Sequence, residues 1–295
     1  MYPQDFIGGG LGEHRIVVSA ENNGYIGWQC KLFYYSCVTR TRFQPLFMVH
    51  AMGGDWHPDF YELVKAGALV RAAPSYIRTP YDLYVPKNTA GSLLHAAAYC
   101  DPDDFIVLCD PDMIFVRSPA FPARLSADFY FYMNYDRPGV RAAAEGLGVA
   151  WDAIVERHES LCCGVPYVVP VRQARKVAEQ WLAAIDAFPQ RQWEDVMYAF
   201  GLATLRLGLP ITLTRIMEQN HVQEAPLTTD MIHYCIGDAL WDKRHFYYEE
   251  ELPRVWHPAV RVGRDTILGE VIQQIDEARE FFGGSGSSAR HSATG

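Results

Sequence analysis

The chain has 295 residues, of which 49% are hydrophobic and 21% are charged, and its formal net charge is −9. This composition indicates a globular protein with a sizeable core and excludes an intrinsically disordered chain. The negative charge and the lack of a long basic run argue against a nucleic-acid partner.

The sequence also gives no sign of export or membrane insertion. No run of 18 apolar residues predicts a transmembrane helix, and the first residues lack the basic and apolar regions of a signal peptide. The seven cysteines are odd in number and form no C-x-x-C pair, which favours reduced thiols. We therefore expect a cytoplasmic protein without a membrane partner.

Short β-rich runs alternate with helical patterns along the chain. Strands are predicted at 15–20, 46–51, 105–109, 127–133, 165–170, 211–214 and 230–234. Helices are predicted at 25–41, 58–66, 90–99, 171–188, 193–207 and 265–283. This alternation predicts an α/β fold with a largely parallel sheet in one domain, residues 14–282. The Gly-rich residues 1–13 and the Gly/Ser-rich residues 283–295 are expected to be flexible ends.

Two aspartates follow directly after the most apolar predicted strand, FIVLC. Because side chains alternate along an extended segment, Asp110 and Asp112 would point to the same side. Neighbouring carboxylates repel each other unless a cation lies between them, and Mn²⁺ or Mg²⁺ would also hold a diphosphate. In proteins with parallel sheets, ligands bind beyond the carboxyl ends of the strands, so the segment with Asp110 and Asp112 is the expected ligand site. The alternative is a solvated turn that begins at Asp110 and Pro111.

Other enzyme classes fit the motifs less well. Haloacid-dehalogenase-type phosphatases place a strand and an Asp-x-Asp first in the chain and continue with Thr or Val, whereas Met113 follows here. The glycines of FIGGGLGEH precede a strand, which contradicts a dinucleotide fingerprint, and no P-loop, H-E-x-x-H or G-x-S-x-G is present.

Most of residues 14–280 resembles the GT-A glycosyltransferases, specifically the plant hydroxyproline O-arabinosyltransferases and the related peptidyl-serine galactosyltransferases. Six segments carry the resemblance in the same order: RIVVSAENNGYIGWQCKLFYY, VPKNTAGSLLHA, FIVLCDPDMIFVRSP, CCGVPYVV, WEDVMYAFGLA, and MIHYCIGD with WDKRHF. The resemblance implies a single GT-A domain, a UDP-sugar donor, and a hydroxyl-bearing acceptor that is a small molecule or a peptide.

The resemblance also implies roles for particular residues. Asp110, Asp112 and His233 would hold Mn²⁺ or Mg²⁺. The donor would contact Ser19, Ala20, Glu21, Trp28, Gln29, Lys87, Asn88, Asp110, Lys243 and Arg244. Gly164 and Pro166 would contact the acceptor, and Glu194 or Asp195 would assist catalysis.

Several of these residues have structural interpretations that the sequence leaves open. They are core packing for Trp28 and His233, an N-cap for Asn88, a favourable helix N-terminus for Glu194 and Asp195, and a solvated basic pair for Lys243 and Arg244.

From these observations we expect metal-dependent transfer of L-arabinofuranose or galactose from a UDP-sugar to a hydroxyl. Both related families retain the anomeric configuration of the donor, so front-face attack assisted by the leaving diphosphate is expected. Two alternatives stay open: a catalytically silent protein that binds nucleotide-sugars or glycans on the same fold, and an Asp-x-Asp phosphatase.

Overall fold

The computed structural model describes residues 12–77, 82–219, 224–235, 237 and 240–284. The strands in these ranges are β1 (His14–Glu21), β2 (Leu46–Ala51), β3 (Leu69–Pro74), β4 (Phe105–Cys109), β5 (Met113–Phe115), β6 (Ser126–Phe129), β7 (Cys163–Pro170), β8 (Thr212–Thr214), β9 (Met217–Gln219) and β10 (Met231–His233). Residues 1–11 and 285–295, which the sequence predicts to be flexible, lie outside the described residues.

The α-helices in these ranges are α1 (Gly24–Arg40), α2 (Pro58–Lys65), α3 (Lys87–Ala96), α4 (Pro138–Leu147), α5 (Trp151–Leu161), α6 (Val171–Asp186), α7 (Asp195–Arg206), α8 (Leu252–Val255) and α9 (Ile267–Gly284). Short 3-10 helices lie at Ala97–Tyr99 and Lys243–Phe246. Every helix described is too short or too polar to span a lipid bilayer.

Seven strands form the central sheet in the order β3-β2-β1-β4-β7-β6-β8. The pairs β1–β2, β1–β4, β2–β3 and β6–β8 are parallel, whereas β7 runs antiparallel to β4 and β6. Helices α1, α3, α6 and α7 pack against this sheet. The predicted fold class, an α/β domain whose mostly parallel central sheet is flanked by helices, is confirmed.

The central strands are apolar because helices cover them. In β1, residues 16–20 are buried, and in β4 residues 106–109 are buried as well. A strand that is covered on both faces reads as a continuous apolar run, and RIVVSA and FIVLC are such runs. Cys109, the last residue of β4, lies opposite Val18, and β1 continues three residues further to Glu21 at the same carboxyl edge of the sheet.

The strand predicted at 127–133 is shorter than the sequence suggests. β6 ends at Phe129, since its partners β7 and β8 pair with it only up to Cys163 and Thr214. The chain then turns, and the backbone N–H of Met133 donates to the carbonyl of Tyr130 (3.2 Å). The prediction of a strand over residues 130–133 is wrong, because β-forming aromatic residues lie there without a partner strand.

A second, three-stranded sheet has the order β5-β10-β9. β5 pairs antiparallel with β10, and β10 pairs parallel with β9. A separate core cluster lies around this sheet and contains apolar side chains of α1, β10 and α9, among them Trp28, Ile232, Tyr234, Leu268 and Ile275. Thr266, the predicted start of the last helix, caps α9, since its hydroxyl accepts from the N–H of Gly269 (3.0 Å). The C-terminal part of the chain is thus held against α1 and β5.

Candidate functional site

Asp110 and Asp112 lie in the short connection between the two sheets. β4 ends at Cys109 in the central sheet and β5 begins at Met113 in the second sheet, so residues 110–112 make the crossing. Asp112 is buried and Asp110 is half-buried. The pair therefore lies at the carboxyl end of β4, where ligands of such sheets bind.

The pairing of β5 with β10 brings His233 to the aspartates. His233 is opposite Met113 in this pair, and the backbone N–H of Tyr234 donates to the carbonyl of Asp112 (3.0 Å). Nε2 of His233 lies 3.2 Å from Oδ1 of Asp112. One ligand atom each from Asp110, Asp112 and His233 lies within 4.8 Å of the other two. These three side chains have the donor set and the spacing to hold a divalent cation.

The two carboxyl groups differ in charge because their neighbours differ. Nζ of Lys243 forms an ion pair with Oδ2 of Asp112. Burial alone would raise the pKa of Asp112, but Lys243 and His233 hold that pKa well below its usual range. Burial, and then the charge of Asp112, raise the pKa of Asp110 to about 6. Asp112 is therefore an anion at neutral pH, while Asp110 ionises more readily when a cation approaches.

Tyr130 fixes the orientation of the His233 ring. Its hydroxyl donates to the carbonyl of Val165 (3.2 Å) and lies 3.3 Å from Nδ1 of His233. With the single hydroxyl proton donated to Val165, the tyrosine oxygen accepts from Nδ1–H, which is the tautomer that a metal-bound His233 would have. A neutral His233 then presents the lone pair of Nε2 towards Asp112, an arrangement that a cation between the two atoms would stabilise. Nothing in the sequence points to Tyr130, because this contact spans 103 residues and has no local motif.

Glu21 ends β1 beside the aspartates and is held by Asn88. Nδ2 of Asn88 donates to Oε1 of Glu21 (3.0 Å), and Oδ1 of Asn88 accepts from the backbone N–H of Tyr76 (2.7 Å). Asn88 does not cap α3, so the N-cap interpretation of this residue is wrong. Burial raises the pKa of Glu21 to about 7, and the charge of Asp110 acts in the same direction.

Four other predicted donor-binding residues are buried around this edge: Ser19 and Ala20 in β1, and Trp28 and Gln29 in α1. Trp28 stacks on Tyr234 with the ring centroids 6.0 Å apart, so it contributes to the second core cluster. Nε2 of Gln29 donates to the carbonyl of Tyr25 (2.6 Å), while Oε1 of Gln29 has no hydrogen-bond partner among the described residues.

The two residues of the basic pair differ in exposure: the side chain of Lys243 is largely buried, and that of Arg244 is exposed. Lys243 pairs with the buried Asp112, whereas the guanidinium of Arg244 binds the carboxylate of Asp242 at 2.9 and 3.0 Å through Nε. Asp242 also accepts from the backbone N–H of Arg244 (2.8 Å) and so caps the 3-10 helix that carries both basic residues. The interpretation of Lys243 and Arg244 as a solvated basic pair is therefore wrong for Lys243.

Lys87 belongs to a closed ring of charges at the start of α3. Its ammonium pairs with Asp186 (2.5 Å) and Asp82 (3.4 Å), and the guanidinium of Arg191 pairs with Asp82 (2.5 Å) and Asp186 (3.1 Å). The ring joins the segment before α3 to the end of α6. Lys87 thus anchors the start of α3 next to Asn88, and its ammonium faces this ring.

Glu194 and Asp195 lie at the start of α7, where their charges are favourable electrostatically. Oε1 of Glu194 accepts from Nη1 of Arg137 (3.1 Å). Oδ2 of Asp195 accepts from the backbone N–H of Gln192 (2.7 Å), and burial raises the pKa of Asp195. Asp195 is therefore engaged in closing the turn before α7, while Glu194 is the more exposed of the two carboxylates.

Gly164 and Pro166 are buried in β7 and lie behind Tyr130. A Cβ atom at Gly164 would lie 2.6 Å from Cε2 and 2.7 Å from Cζ of Tyr130. The missing side chain of Gly164 thus gives the tyrosine ring the room from which its hydroxyl reaches Val165 and His233.

Comparisons with known proteins give likenesses to solved structures alone. No protein-family model matches the chain, and no curated protein matches it. Among solved structures, the chain is similar to the galactosyltransferase LgtC, crystallised in complex with donor and acceptor sugar analogs. The two share 12% sequence identity and superpose with a TM-score of 0.49 over 92% of this chain and 95% of that one.

Proposed function

We propose that the protein is a GT-A glycosyltransferase that moves a sugar, L-arabinofuranose or galactose, from a UDP-sugar to a hydroxyl-bearing acceptor. The observation that carries this proposal is the cluster of Asp110, Asp112 and His233 at the carboxyl edge of the sheet. Its position agrees with that of a nucleotide site in an α/β fold, and its side chains agree with the motifs of the sequence resemblance.

The donor set suits a divalent metal ion, Mn²⁺ or Mg²⁺. The Nε2 atom of His233 and the Oδ1 atom of Asp112 face each other across 3.2 Å, and the Tyr130 contact leaves no proton between them when the imidazole is neutral. Two carboxylates and an imidazole favour Mn²⁺ over Mg²⁺, because Mg²⁺ prefers oxygen ligands throughout. A metal bound here would neutralise charge on the leaving diphosphate.

The surrounding residues would bind and orient the donor. Lys243 lies close enough to Asp112 that its ammonium would face a diphosphate held beside that carboxylate. Arg244 follows it on the exposed side and would meet the same group. Residues 19–21 end β1 next to the cluster and would border the uridine, with Asn88 holding Glu21 in place. Trp28 and Gln29 would support this edge from α1.

We infer that the sugar is transferred with retention of configuration. The acceptor hydroxyl would attack from the same face as the leaving diphosphate and lose its proton to a diphosphate oxygen as the glycosidic bond breaks. Such a reaction needs no strong general base, which agrees with the engagement of both candidate carboxylates, Glu194 with Arg137 and Asp195 with Gln192.

Binding and turnover test the proposal separately. UDP-galactose, UDP-L-arabinofuranose and UDP should each be added with Mn²⁺ while the melting temperature is measured, since a ligand stabilises the fold that binds it. Release of UDP from a stabilising donor would support the transferase. Stabilisation without any UDP release, with or without acceptors, would identify a binding protein. Release of phosphate from an aryl phosphate would identify a phosphatase. We also propose that the protein acts in the cytoplasm and without a membrane partner.

A further inference from the structure

Three exposed aromatic side chains lie on two segments that are bonded to each other, one of which carries Tyr130 and its contact with His233. We call them the rim aromatics: Phe131, Tyr132 and Trp193. Their exposed fractions are 69%, 48% and 72%. Large aromatic side chains are normally buried on folding, so a group of them at one edge of a candidate site calls for a ligand.

The first two rim aromatics continue directly from Tyr130. The ring centroid of Tyr132 lies 5.6 Å from that of Tyr130, whose hydroxyl contacts His233, and Phe131 lies 5.8 Å from Tyr132. The turn after β6 thus carries one tyrosine inward to the cluster and two aromatic residues outward to solvent.

Trp193 joins the same rim through Arg137. The guanidinium of Arg137 binds Glu194 (3.1 Å) and Gln192, the two neighbours of Trp193. In addition, the backbone N–H of Asn134 donates to the hydroxyl of Tyr198 (3.1 Å). These contacts fasten the turn at residues 130–137 to the start of α7.

A third link connects Trp193 to the donor side. The hydroxyl of Tyr84 donates to the carbonyl of Trp193 (3.0 Å) and accepts from the backbone N–H of Val196 (2.8 Å). Tyr84 precedes α3, the helix that carries Asn88 and its bond to Glu21. The segment that carries Trp193 is therefore bonded both to the turn after β6 and to the segment before α3.

We propose that the rim aromatics form the acceptor subsite and that the acceptor is a glycoside. This inference rests on the proposed function. The apolar C–H face of a pyranose packs on a flat aromatic ring, and its hydroxyls bond to charged groups beside the ring. The rim offers both kinds of group, because Glu194, Arg137 and the exposed Asp136 lie on the same two segments as the aromatic residues.

The same features argue against a macromolecular partner. Three side chains separated by charges fall well short of the roughly 800 Å² per partner that a stable protein interface buries. A proline-rich peptide docks in a groove of adjacent aromatic residues, whereas here charged side chains stand between the turn and α7. A single sugar ring, or two joined rings, matches the size and the mixed polarity of the rim.

Kinetics with defined acceptors test the subsite. Methyl glycosides of galactose, glucose and arabinose, and as a rival a serine- and hydroxyproline-containing peptide, are added to the protein with donor and Mn²⁺. We expect a glycoside to accelerate UDP release. In Trp193→Ala and Phe131→Ala the ratio of stimulated to unstimulated release should fall and the acceptor KM should rise by about tenfold or more, which corresponds to about 1.4 kcal/mol. Tyr99→Ala removes another exposed aromatic residue, one that lies before the amino end of β4, and should behave as wild type.

A binding measurement separates failure of the subsite from failure of the transferase. All seven tryptophans lie in the described ranges, and Trp193 is the most exposed of them. A bound methyl glycoside should therefore change the protein fluorescence, and Trp193→Phe should abolish that change. A fluorescence change without UDP release would support the subsite and overturn the transferase. UDP release stimulated by the peptide alone, without a fluorescence change from any glycoside, would overturn the glycoside subsite and leave the transferase standing.

Discussion

The hydroxyl of Tyr130 lies 3.3 Å from Nδ1 of His233 while donating its proton to the carbonyl of Val165. In a neutral imidazole, this pair of contacts favours the tautomer with its proton on Nδ1, and the other ring nitrogen faces Asp112. Tyr130 therefore acts on the cluster from behind, through the tautomer and the orientation of the imidazole.

Tyr130→Phe should weaken Mn²⁺ binding by roughly 10–100-fold, the range typical when a residue that orients a metal ligand is removed. Titration calorimetry and the electron paramagnetic resonance of free Mn²⁺ would measure the affinity. Tyr135→Phe is the matched control, because that hydroxyl is also buried and also donates to a backbone carbonyl, that of Leu161 (3.0 Å). Each variant should lose about 1 kcal/mol of stability with its hydrogen bond. Equal Mn²⁺ affinity in both variants would contradict the role of Tyr130.

Asp112→Asn should abolish metal-dependent turnover and also destabilise the protein. The substitution leaves the ammonium of Lys243 buried without its counter-ion, which costs on the order of 3–5 kcal/mol. The double variant Asp112→Asn/Lys243→Gln removes both charges, so most of the stability should return while turnover stays absent. Urea unfolding and UDP release would measure the two effects, and recovery of turnover in the double variant would exclude Asp112 as a metal ligand.

Glu21 should make the protein less stable as the pH rises from about 5 to above 7. Its pKa is raised from the ordinary 4.5 to about 7, so the folded protein keeps a proton that the unfolded chain has lost. Stability from this group is complete below pH 4.5 and is lost as the pH passes the folded pKa, in total about 3 kcal/mol. Glu21→Gln removes the titration but can still accept the hydrogen bond from Asn88.

The measurement is urea unfolding of wild type and Glu21→Gln in EDTA at pH 5 and pH 8. The variant should lose less stability between the two pH values, while Glu145→Gln, an exposed glutamate on α4, should follow wild type. An equal loss of stability in wild type and Glu21→Gln between pH 5 and pH 8 would show that the folded protein does not raise the pKa of Glu21.

Much of the sheet, and the position of Asp110 and Asp112 at the end of one of its strands, could be predicted from sequence because local patterns determine them. β1 and β4 are continuous apolar runs, and Asp110 and Asp112 follow one of them directly. β3 escaped prediction because it is an edge strand with Arg71 in its middle, and edge strands tolerate polar residues. Helices α4 and α5 were missed as well, since their short amphipathic patterns lie between turn-forming residues.

The contacts that complete the candidate site could not be predicted, since they depend on pairing across long stretches of chain. β5 has only three residues, and nothing local indicates that it pairs with β10. The ion pair of Lys243 with Asp112 spans 131 residues and follows from that pairing. Likewise, the position of Tyr130 depends on where the pairing of β6 with β7 and β8 ends. The pairing of the whole sheet decides this point, and the sequence of the segment alone does not.

Transfer should proceed with retention of configuration, and NMR of the first-formed product would establish its anomeric form. In that case Glu194→Gln should lower the rate by less than about tenfold, because a general base contributes about 10²–10⁴-fold where one is used. Asp195→Asn should behave similarly, since its amide oxygen can still accept from the N–H of Gln192. An inverted product together with a large loss in Glu194→Gln would instead assign this carboxylate the role of base.

Gly164→Ala should weaken Mn²⁺ binding indirectly, by displacing the ring of Tyr130. The added methyl group would lie 2.6 Å from the Tyr130 ring, so the ring must move away from Val165 and His233. We expect a loss of about 1–3 kcal/mol of stability from overpacking, together with weaker Mn²⁺ binding. Gly146→Ala is the control, since a Cβ atom there meets nothing within 4 Å and alanine favours the helix α4 by about 0.5–1 kcal/mol.

A double-mutant cycle with Tyr130→Ala identifies the cause of the Gly164→Ala effect. Once the ring is absent, Gly164→Ala should cost little further stability and no further Mn²⁺ affinity, so the two substitutions should be strongly non-additive. Additive losses of stability and Mn²⁺ affinity would mean that the alanine disturbs β7 itself. Gly164 would then matter for the strand and not for the position of the Tyr130 ring. The cycle is informative in either background, because urea unfolding and Mn²⁺ titration report stability and the cluster independently.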